Sequence, residues 1–399
     1  MANSVEYVFS RSLDETLENL PTGSIRRAIA NNLYGINFRQ TGNVVPRPKN
    51  NQGFVFFTRP QLNLSTSNIT NYRPFFSLLN QNAASYQRYA RNTLDPRLGR
   101  EAPSLGIKCP FVDPDSPFIA SLTNNIVSCS GWPDLAAPVH TSAAGLYGQE
   151  FSMIDGVTNH FEAFDLDMSF ASIKGNPLIY LFYIWVKYAT LTVEGILNPY
   201  FDMIAEVEID SNTRVYRLVM DQQKRYVEHI ACTGASFPVT VPTGNIFDYN
   251  KEKPLSAQNP EFNIRFRSMG FVSFDDIVKF WFNSAVAIFN ASLANLLEYD
   301  LTANSSSDTV VREDPTKVYL TPDSAYMRIP HALMRMTDGY DEGKSGYSLN
   351  HKAIPYVNLY TNELEWWVRS TDFQTVANVA FGAEVSNAPL GDEDEEIGD

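Results

Sequence analysis

The feature that most constrains the fold of this chain is a long apolar run at residues 177–197, which begins with Pro177. Proline fits the first turn of a helix, and a nearly continuous apolar surface predicts a helix that is buried on most sides. The run is roughly as long as a membrane span, but Lys187 and Glu194 lie inside it. A charge near the middle of a span costs about 2.5–3.5 kcal/mol, so the sequence favours the central helix of a folded core.

Alternating apolar and polar residues on both sides of this helix predict strands. In residues 161–170 the apolar side chains at positions 164, 166, 168 and 170 fall on one face of a strand, and Asp165, Asp167 and Ser169 fall on the other. Residues 203–210 and 214–220 predict a hairpin that turns at residues 211–213. Further strands are expected at residues 229–232, 259–267, 318–320, 326–329, 353–358 and 363–368.

Helices and long loops flank this central unit. Helices are expected within residues 12–33, 70–92, 118–128 and 277–297. Residues 37–53 are polar and predict an extended arm, and the proline-rich residues 92–155 form a long irregular segment of a kind that often carries interactions. We therefore predict an α+β fold: an antiparallel sheet with a buried central helix, a helical N-terminal part and long loop-rich arms. The expected regions are a helical and loop-rich part at 1–155, a strand–helix–hairpin core at 156–300, and C-terminal strands with an acidic tail at 301–399.

The composition indicates extensive aromatic packing. Aromatic residues make up 13% of the chain and charged residues 19%. Aromatic residues are enriched and charges depleted at the centres of subunit interfaces, so large contacts between subunits explain this composition. A large aromatic core in a monomer explains it equally well. The interface candidates are four aromatic residues of the loop-rich part: Tyr86, Tyr89, Phe118 and Trp132.

Charge and cysteine content narrow the classes of function. A net charge of −14 argues against sequence-independent binding to nucleic acid, because such binding requires Lys and Arg to neutralise phosphates. The acidic residues 392–396 predict a solvated tail. Cys109, Cys129 and Cys232 form no CxxC motif, so the sequence indicates neither a disulfide framework nor a zinc site, and we expect a reducing compartment. A basic start followed by an apolar run is missing at the N-terminus, so no signal peptide is expected.

Motifs for nucleotide and metal binding fail on inspection. Residues 343–345 have the Gly-Lys-Ser ending of a phosphate loop, but Asp338 stands where the loop needs a glycine. His160 and Glu162 share one face of the predicted strand at 161–170, whereas the two aspartates share the other face. A metal needs three or four converging ligands, so this strand is a poor metal site, and we expect neither a metal nor a cofactor.

A cysteine nucleophile is equally weak as a hypothesis. Cys129 and His140 are close in sequence, but the geometry that activates a thiol cannot be inferred from that closeness. A buried, inert cysteine is the favoured interpretation. The sequence therefore predicts no enzyme and no catalytic residues.

Three segments resemble the large structural proteins of tailed bacteriophages. They are residues 53–64 (GFVFFTRPQLNL), residues 165–170 (DLDMSF) with the aromatic helix that follows, and residues 237–249 (FPVTVPTGNIFDY). The order of strand, helix and hairpin is also similar to that of phage tail tubes, tail-completion proteins and baseplate hubs. The resemblance implies a non-enzymatic virion protein, arranged as a ring or collar in the tail, baseplate or neck of a contractile-tail particle.

That resemblance also implies the partners and the location. The partners would be copies of this chain and other virion proteins, without a membrane, and assembly would take place in the host cytoplasm. Two alternatives stay open: a receptor-binding or adaptor protein of the particle, and a hydrolase with a dispersed site. The sequence does not indicate where in the particle the protein lies, how many copies assemble, or which host the particle infects.

Overall fold

The computed structural model describes residues 53–100, 109–156, 162–221, 224–248, 251–252, 260–302, 318–329 and 352–373. The helices are α1 Thr66–Ile69, α2 Tyr86–Leu94, α3 Arg97–Arg100, α4 Ala120–Asn125, α5 Pro177–Val193, α6 Phe201–Ala205, α7 Gly244–Phe247, α8 Ile277–Phe289 and α9 Ala291–Thr302, with a 3-10 helix at Arg73–Leu79. The strands are β1 Gly53–Phe57, β2 Ile126–Ser130, β3 Val139–Thr141, β4 Ser152–Ile154, β5 Ala163–Ala171, β6 Val215–Met220, β7 Val227–Pro238, β8 Glu261–Ser273, β9 Tyr326–Ile329, β10 Ile354–Val357 and β11 Leu364–Arg369.

The centre of the fold is a six-stranded antiparallel sheet that curls into a half-barrel. Its strand order is β1-β6-β7-β8-β5-β2. The long strands β5, β7 and β8 form its middle, where β5 pairs with β8 from Ala163–Met269 to Ala171–Glu261. This mixture of helices with an antiparallel sheet confirms the predicted α+β class.

Along β1, β6 and β7 both faces of the sheet are buried, and each covers its own apolar core, whereas one face of β5 and β8 carries exposed charged side chains such as Asp167 and Arg265. On one face, α5 and the N-terminal helices pack against Leu166, Met168 and Phe170 of β5. On the other face, α8, α9 and a second sheet of order β10-β11-β9 pack against β6 and β7. This part of the sheet is therefore the middle layer of a sandwich, so strands such as β6 carry apolar residues towards both sides.

The second sheet is fixed to the main sheet by hydrogen bonds and a buried ionic cluster. Tyr226 forms a bridge with Glu363, and the amide of Val227 donates to the Asn362 carbonyl at 2.8 Å. Arg328, only 1% exposed, contacts the Glu363 carboxylate at 2.8 Å. Burial raises the pKa of Glu363, while the nearby arginines oppose that shift.

The two margins of the main sheet differ. At one margin, β1 carries the buried side chains Val55, Phe56 and Phe57. The amide of Ile119 donates to the Phe57 carbonyl at 3.0 Å, so a neighbouring segment occupies that margin. At the other margin, β2 pairs with β5 alone among the described strands, and a bulge interrupts that pairing between Ile126 and Ser128.

Most predicted elements are present, including the central helix as α5 and the paired helices within residues 70–92. The predicted hairpin of residues 203–210 with 214–220 is wrong. Residues 201–205 form helix α6. Strand β6 pairs instead with β1, which is distant in sequence, and with β7, which follows it in the chain. The helix expected at 277–297 is broken at Asn290, whose side chain accepts from the Leu293 amide and so begins α9.

Other predictions fall outside the described residues: the helices at 12–33, most of the arm at 37–53, and the acidic tail. The three-part division of the chain stays a prediction. Among the described helices, none is both long and apolar enough to cross a membrane.

Candidate assembly surfaces

A hairpin built from β3 and β4 presents the largest group of exposed apolar side chains in residues 130–156. Its pairing runs from Val139–Ile154 to Thr141–Ser152. Seven large apolar side chains on or beside it are between 49% and 91% exposed: Leu135, Val139, Leu146, Tyr147, Phe151, Met153 and Ile154. Two-stranded hairpins are at best marginally stable in water, and exposed apolar patches mark binding surfaces. The hairpin therefore has the character of a docking element.

Local hydrogen bonds give the hairpin its shape. The Ser142 amide donates to the Phe151 carbonyl at 2.8 Å, and the Phe151 amide donates to the Ser142 hydroxyl at 3.0 Å. At the tip the Gly145 amide donates to the Gln149 carbonyl at 2.9 Å, while Gly148 adopts a left-handed φ of 73°. Such a φ favours glycine, so the turn holds Leu146 and Tyr147 outward without strain.

The hairpin lies in the chain between β2 and β5, the two strands at the open margin of the main sheet. The β2 residues Val127, Ser128 and Ser130 are exposed. Unpaired backbone groups at the edge of a sheet can receive a strand from another chain. The open margin and the apolar hairpin are therefore formed by consecutive strands of the chain, and we treat both as candidate contact surfaces.

A second exposed apolar surface follows α5. Five side chains in residues 193–209 are between 55% and 90% exposed: Val193, Phe201, Ile204, Val207 and Ile209. The exposed acids Glu194, Glu206 and Glu208 lie among them. We name these eight residues the α6 patch.

The four predicted interface residues are distributed differently. Tyr86 is exposed, and its ring packs edge-on against Tyr180 with 5.0 Å between ring centroids. Phe118 is only 5% exposed and stacks on Phe282 in the core. Tyr89 and Trp132 are half-buried. An interface role for these residues stays a prediction, for which Tyr86 is the best placed.

Tyr89 and Trp132 make internal contacts that explain their partial burial. The Tyr89 hydroxyl forms a hydrogen bond with the Ser121 hydroxyl, and the Trp132 ring lies 5.6 Å from that of Phe271. Sequence reasoning missed the hairpin because its strands are only three residues long. The available signal was the alternation in residues 151–154 after the glycine-flanked pair at 146–147.

The charged residues of β5 form structural pairs. Asp165 contacts Arg267 at 2.9 Å, and Asp167 contacts Arg265 at 3.1 Å, so both aspartates face arginines of β8. His160 of the weak metal hypothesis lies outside the described residues, and within the described ones no group of three ligating side chains could hold a metal ion.

The protonation state of Cys129 argues against the hypothesis that it is a nucleophile. Burial raises the pKa of the Cys129 thiol to about 11, so the thiol is protonated at neutral pH. A thiolate is the nucleophilic form, and His140 is exposed on β3. Cys129 therefore has the environment of an inert cysteine.

A cavity of about 460 Å³, lined by apolar and charged residues, lies between the loop at residues 109–114 and the C-terminal sheet. Among its lining groups, Lys352 pairs with Asp372 at 2.9 Å and Arg369 pairs with Asp113 at 3.0 Å. Arg59 donates to backbone carbonyls of the same loop, including that of Asp113 at 3.2 Å. The Arg369–Asp113 pair holds the loop against the sheet.

Comparison with known proteins gives one match that spans most of the chain. A family model described as "Putative phage tail tube protein" matches residues 9–335. No curated protein matches the sequence.

Two solved structures resemble part of the chain weakly. The tube-terminating cap of the anti-feeding prophage is 14% identical, with a TM-score of 0.23, over 41% of this chain and 83% of that one. A sheath/tube terminator of an extracellular contractile injection system, PVC, in its extended state is 10% identical, with a TM-score of 0.21, over 38% of this chain and 85% of that one.

The expected resemblance to tailed-phage structural proteins is confirmed by the family match. That match extends from the predicted N-terminal helices to beyond β9, and the chain therefore belongs to the family of phage tail tube proteins.

Proposed function

We propose that this tail structural protein works by polymerising with copies of itself, as a ring-forming subunit of the tail tube. The single observation that carries the proposal is the exposed apolar hairpin β3–β4, which lies in the chain between β2, at the open margin of the sheet, and β5. Family membership supports a structural role in the tail. Station in a baseplate or neck, and assembly in the host cytoplasm, have no comparable support in the described residues.

The sheet margins favour one kind of contact. Because a neighbouring segment pairs with the end of β1, where the Ile119 amide donates to the Phe57 carbonyl, the β1 margin is a poor acceptor for the β2 margin of another copy. The open margin at β2 is instead available to an element from a neighbour. In our proposal that element is the neighbour's hairpin β3–β4, which would bury its apolar side chains on the receiving copy.

The energy available from the hairpin fits cooperative assembly. Full burial of one large apolar side chain contributes about 1.5–3 kcal/mol, so five such side chains contribute roughly 10 kcal/mol before costs. Association costs about 4–15 kcal/mol in lost freedom of motion. One contact is thus weak by itself, whereas a subunit in a ring makes two contacts and is held firmly.

The test removes the apolar tip of the hairpin. We expect the wild-type protein to form rings or fixed multimers, and the double variant Leu146→Asp/Tyr147→Asp to stay monomeric. Mass photometry and negative-stain electron microscopy measure assembly, and circular dichroism checks that the monomer keeps its fold. Both replaced side chains are almost fully exposed, so the fold should not depend on them.

Phe247→Asp is the matched control, because Phe247 is 81% exposed and lies outside the hairpin and the sheet margin. It should assemble like the wild type. Assembly of the double variant at wild-type concentration, or a wild-type chain that stays single at high concentration, contradicts the proposal.

A further inference from the structure

The α6 patch combines exposed apolar side chains with charge of a single sign. Residues 193–210 contain five acidic residues and neither lysine nor arginine. One of the five, Asp202, forms a two-point ion pair with Arg97, and another, Asp210, is buried. The other three are exposed and form no ion pair with a described residue: Glu194, Glu206 and Glu208. The complementary partner therefore supplies apolar surface together with positive charge.

Contacts beneath the patch hold it in place. The Tyr200 hydroxyl donates to the Asp95 carboxylate at 2.8 Å, and the Arg97 guanidinium lies 4.4 Å from the centroid of the Tyr200 ring. Before α6, the Asn198 carbonyl accepts from the side-chain amide of Asn68 at 3.0 Å. A surface that is already held this firmly loses little conformational freedom when it binds a partner.

A second exposed surface lies on α5 and on the 3-10 helix Arg73–Leu79. On α5, positions 180, 183 and 187 are spaced by three and four residues and so share one face of the helix. In the 3-10 helix, positions 73 and 76 are three residues apart, a spacing at which side chains eclipse each other. Together with one residue of α2 these positions form what we name the basic aromatic surface: Arg73, Phe76, Tyr86, Tyr180, Tyr183 and Lys187.

Side-chain contacts join the three elements of the basic aromatic surface. The hydroxyls of Ser77 and Tyr180 are hydrogen-bonded at 2.9 Å, and the Tyr86 ring packs edge-on against that of Tyr180. The Lys187 ammonium lies 5.7 Å from the centroid of the Tyr72 ring. Three rings of the surface are still between 37% and 48% exposed: Phe76, Tyr86 and Tyr183. The surface thus presents aromatic area as well as charge to solvent.

The charge of the basic aromatic surface is opposite to that of the α6 patch. Residues 65–94, which contain the 3-10 helix and α2, have three arginines and no acidic residue. Arg73 is exposed and forms no ion pair with a described residue, and Lys187 is the one charged residue within α5. A basic surface rich in exposed aromatic rings is the chemical complement of an acidic, apolar patch, because aromatic side chains are the usual anchors of protein contacts.

Helix α5 keeps the two surfaces of one molecule apart. Lys187 and Glu194 are seven residues apart, so they lie on the same side of the helix but about 10 Å from each other along its axis. No ion pair joins them in the folded chain. Each molecule therefore carries both halves of a complementary contact without being able to bring them together, and a second copy can supply the missing half to each.

From these observations we infer that the α6 patch of one copy binds the basic aromatic surface of a second copy. The exposed glutamates face Arg73 and Lys187, and Phe201, which is 84% exposed, packs against the rings. The inference rests on the proposed function only in that the partner is another copy of this chain. It adds a contact on surfaces that share no residue with the hairpin β3–β4.

The test uses the full chain with the hairpin change Leu146→Asp/Tyr147→Asp, so the proposed ring contact is removed from every sample. We expect this chain to be monomeric at the nanomolar concentrations of mass photometry. At high micromolar concentration and low salt it should self-associate in sedimentation velocity. High salt should abolish that association, because screening weakens contacts between exposed charges.

Charge reversal identifies the two surfaces. In the hairpin-changed chain, Glu206→Lys/Glu208→Lys reverses the α6 patch, and Arg73→Glu/Lys187→Glu reverses the basic aromatic surface. Each should weaken self-association about tenfold or more, since like charges then face each other. An equimolar mixture of the two variants should associate like the unreversed chain, because each reversed surface meets its opposite on the other variant.

The matched control is Asp276→Lys/Glu298→Lys, which reverses two exposed acids beside the core on the other face of the sheet and should leave association unchanged. Glu206→Gln/Glu208→Gln covers the case in which the reversed patch misfolds, and should weaken association about threefold at low salt. Circular dichroism checks the fold of every variant.

Three results overturn the inference. The first is a hairpin-changed chain that stays monomeric at high micromolar concentration in low salt. The second is association that the changes at residues 206 and 208 or at Arg73 and Lys187 leave unaltered. The third is a pair of folded reversed variants whose mixture fails to associate. Failure of the ring contact has a different signature, since the hairpin-changed chain then assembles at nanomolar concentration.

Discussion

The strained helix end at Val207 gives the sharpest quantitative prediction. Replacing Val207 by glycine should stabilise the protein, although it removes a large apolar side chain. The reason is that the left-handed backbone conformation costs an L-residue about 1–2 kcal/mol, and glycine is free of that cost. Since the valine side chain is 89% exposed, little packing is lost with it.

The net size follows from two opposing terms. Relief of the left-handed strain contributes about 1–2 kcal/mol, and the greater freedom of glycine in the unfolded chain takes back about 0.5–1 kcal/mol. We therefore expect Val207→Gly to increase the free energy of unfolding by about 0.5–1 kcal/mol.

The chain contains its own control for this reasoning. Helices α6 and α5 both end in a Schellman arrangement. At the end of α6, Val207 has a φ of 58°, its amide donates to the Ile204 carbonyl at 3.3 Å, and the Glu208 amide donates to the Met203 carbonyl at 3.0 Å. At the end of α5, Gly195 has a φ of 73°, its amide donates to the Thr192 carbonyl, and the Ile196 amide donates to the Leu191 carbonyl. A Cβ added at Gly195 would meet no atom within 4 Å. Gly195→Val should therefore destabilise the protein through the backbone alone, by about 0.5–1 kcal/mol.

Urea unfolding of the monomer, monitored by tryptophan fluorescence, measures both variants. A stabilised Val207→Gly with a destabilised Gly195→Val supports the argument. A Val207→Gly variant that is less stable than the wild type refutes it, because the valine must then contribute more through contacts than its backbone costs.

Two further predictions concern buried charges. Arg328→Ala removes the positive charge beside the buried carboxylates of Glu363 and Glu365, and should lower the free energy of unfolding in urea by about 3–5 kcal/mol. Arg265→Ala breaks the exposed pair with Asp167 and should lower it by at most about 1 kcal/mol. Equal losses for the two variants would refute the distinction between buried and exposed pairs. Burial raises the pKa of Asp95 to about 6, so the folded protein holds that proton more tightly than the unfolded chain does. The stability from Asp95 is then complete below about pH 4 and is lost as pH rises through about 6, to an extent of about 3 kcal/mol. Unfolding measured at pH 4.5 and 7 should show a smaller pH dependence for Asp95→Asn than for the wild type, and identical dependence would contradict the assignment.

Local patterns predicted most elements but few of their partners. The alternation in residues 161–170 identified β5 and its buried face, and the apolar run identified α5. By contrast, β1 pairs with β6, and only the folded chain brings these distant strands together. The false hairpin at 203–220 arose because residues 203–210 alternate weakly, whereas the Tyr188–Asp210 hydrogen bond and the helix end at Val207 fix them in another conformation.

The sequence predicted that the protein has contact surfaces, but not which residues form them. Aromatic and apolar abundance indicated docking, but composition cannot distinguish a core residue such as Phe118 from an exposed one such as Tyr86. The exposure of Leu146 and Tyr147 depends on a short hairpin whose strands fall below the length at which alternation is informative.

The unequal margins of the main sheet have a consequence for growth. A neighbouring segment pairs with the end of β1, whereas β2 is the margin left open among the described strands. If the hairpin of each molecule binds the β2 margin of the next, the contact is head-to-tail, and any ring built from it inherits a direction around its circumference from the first contact onward.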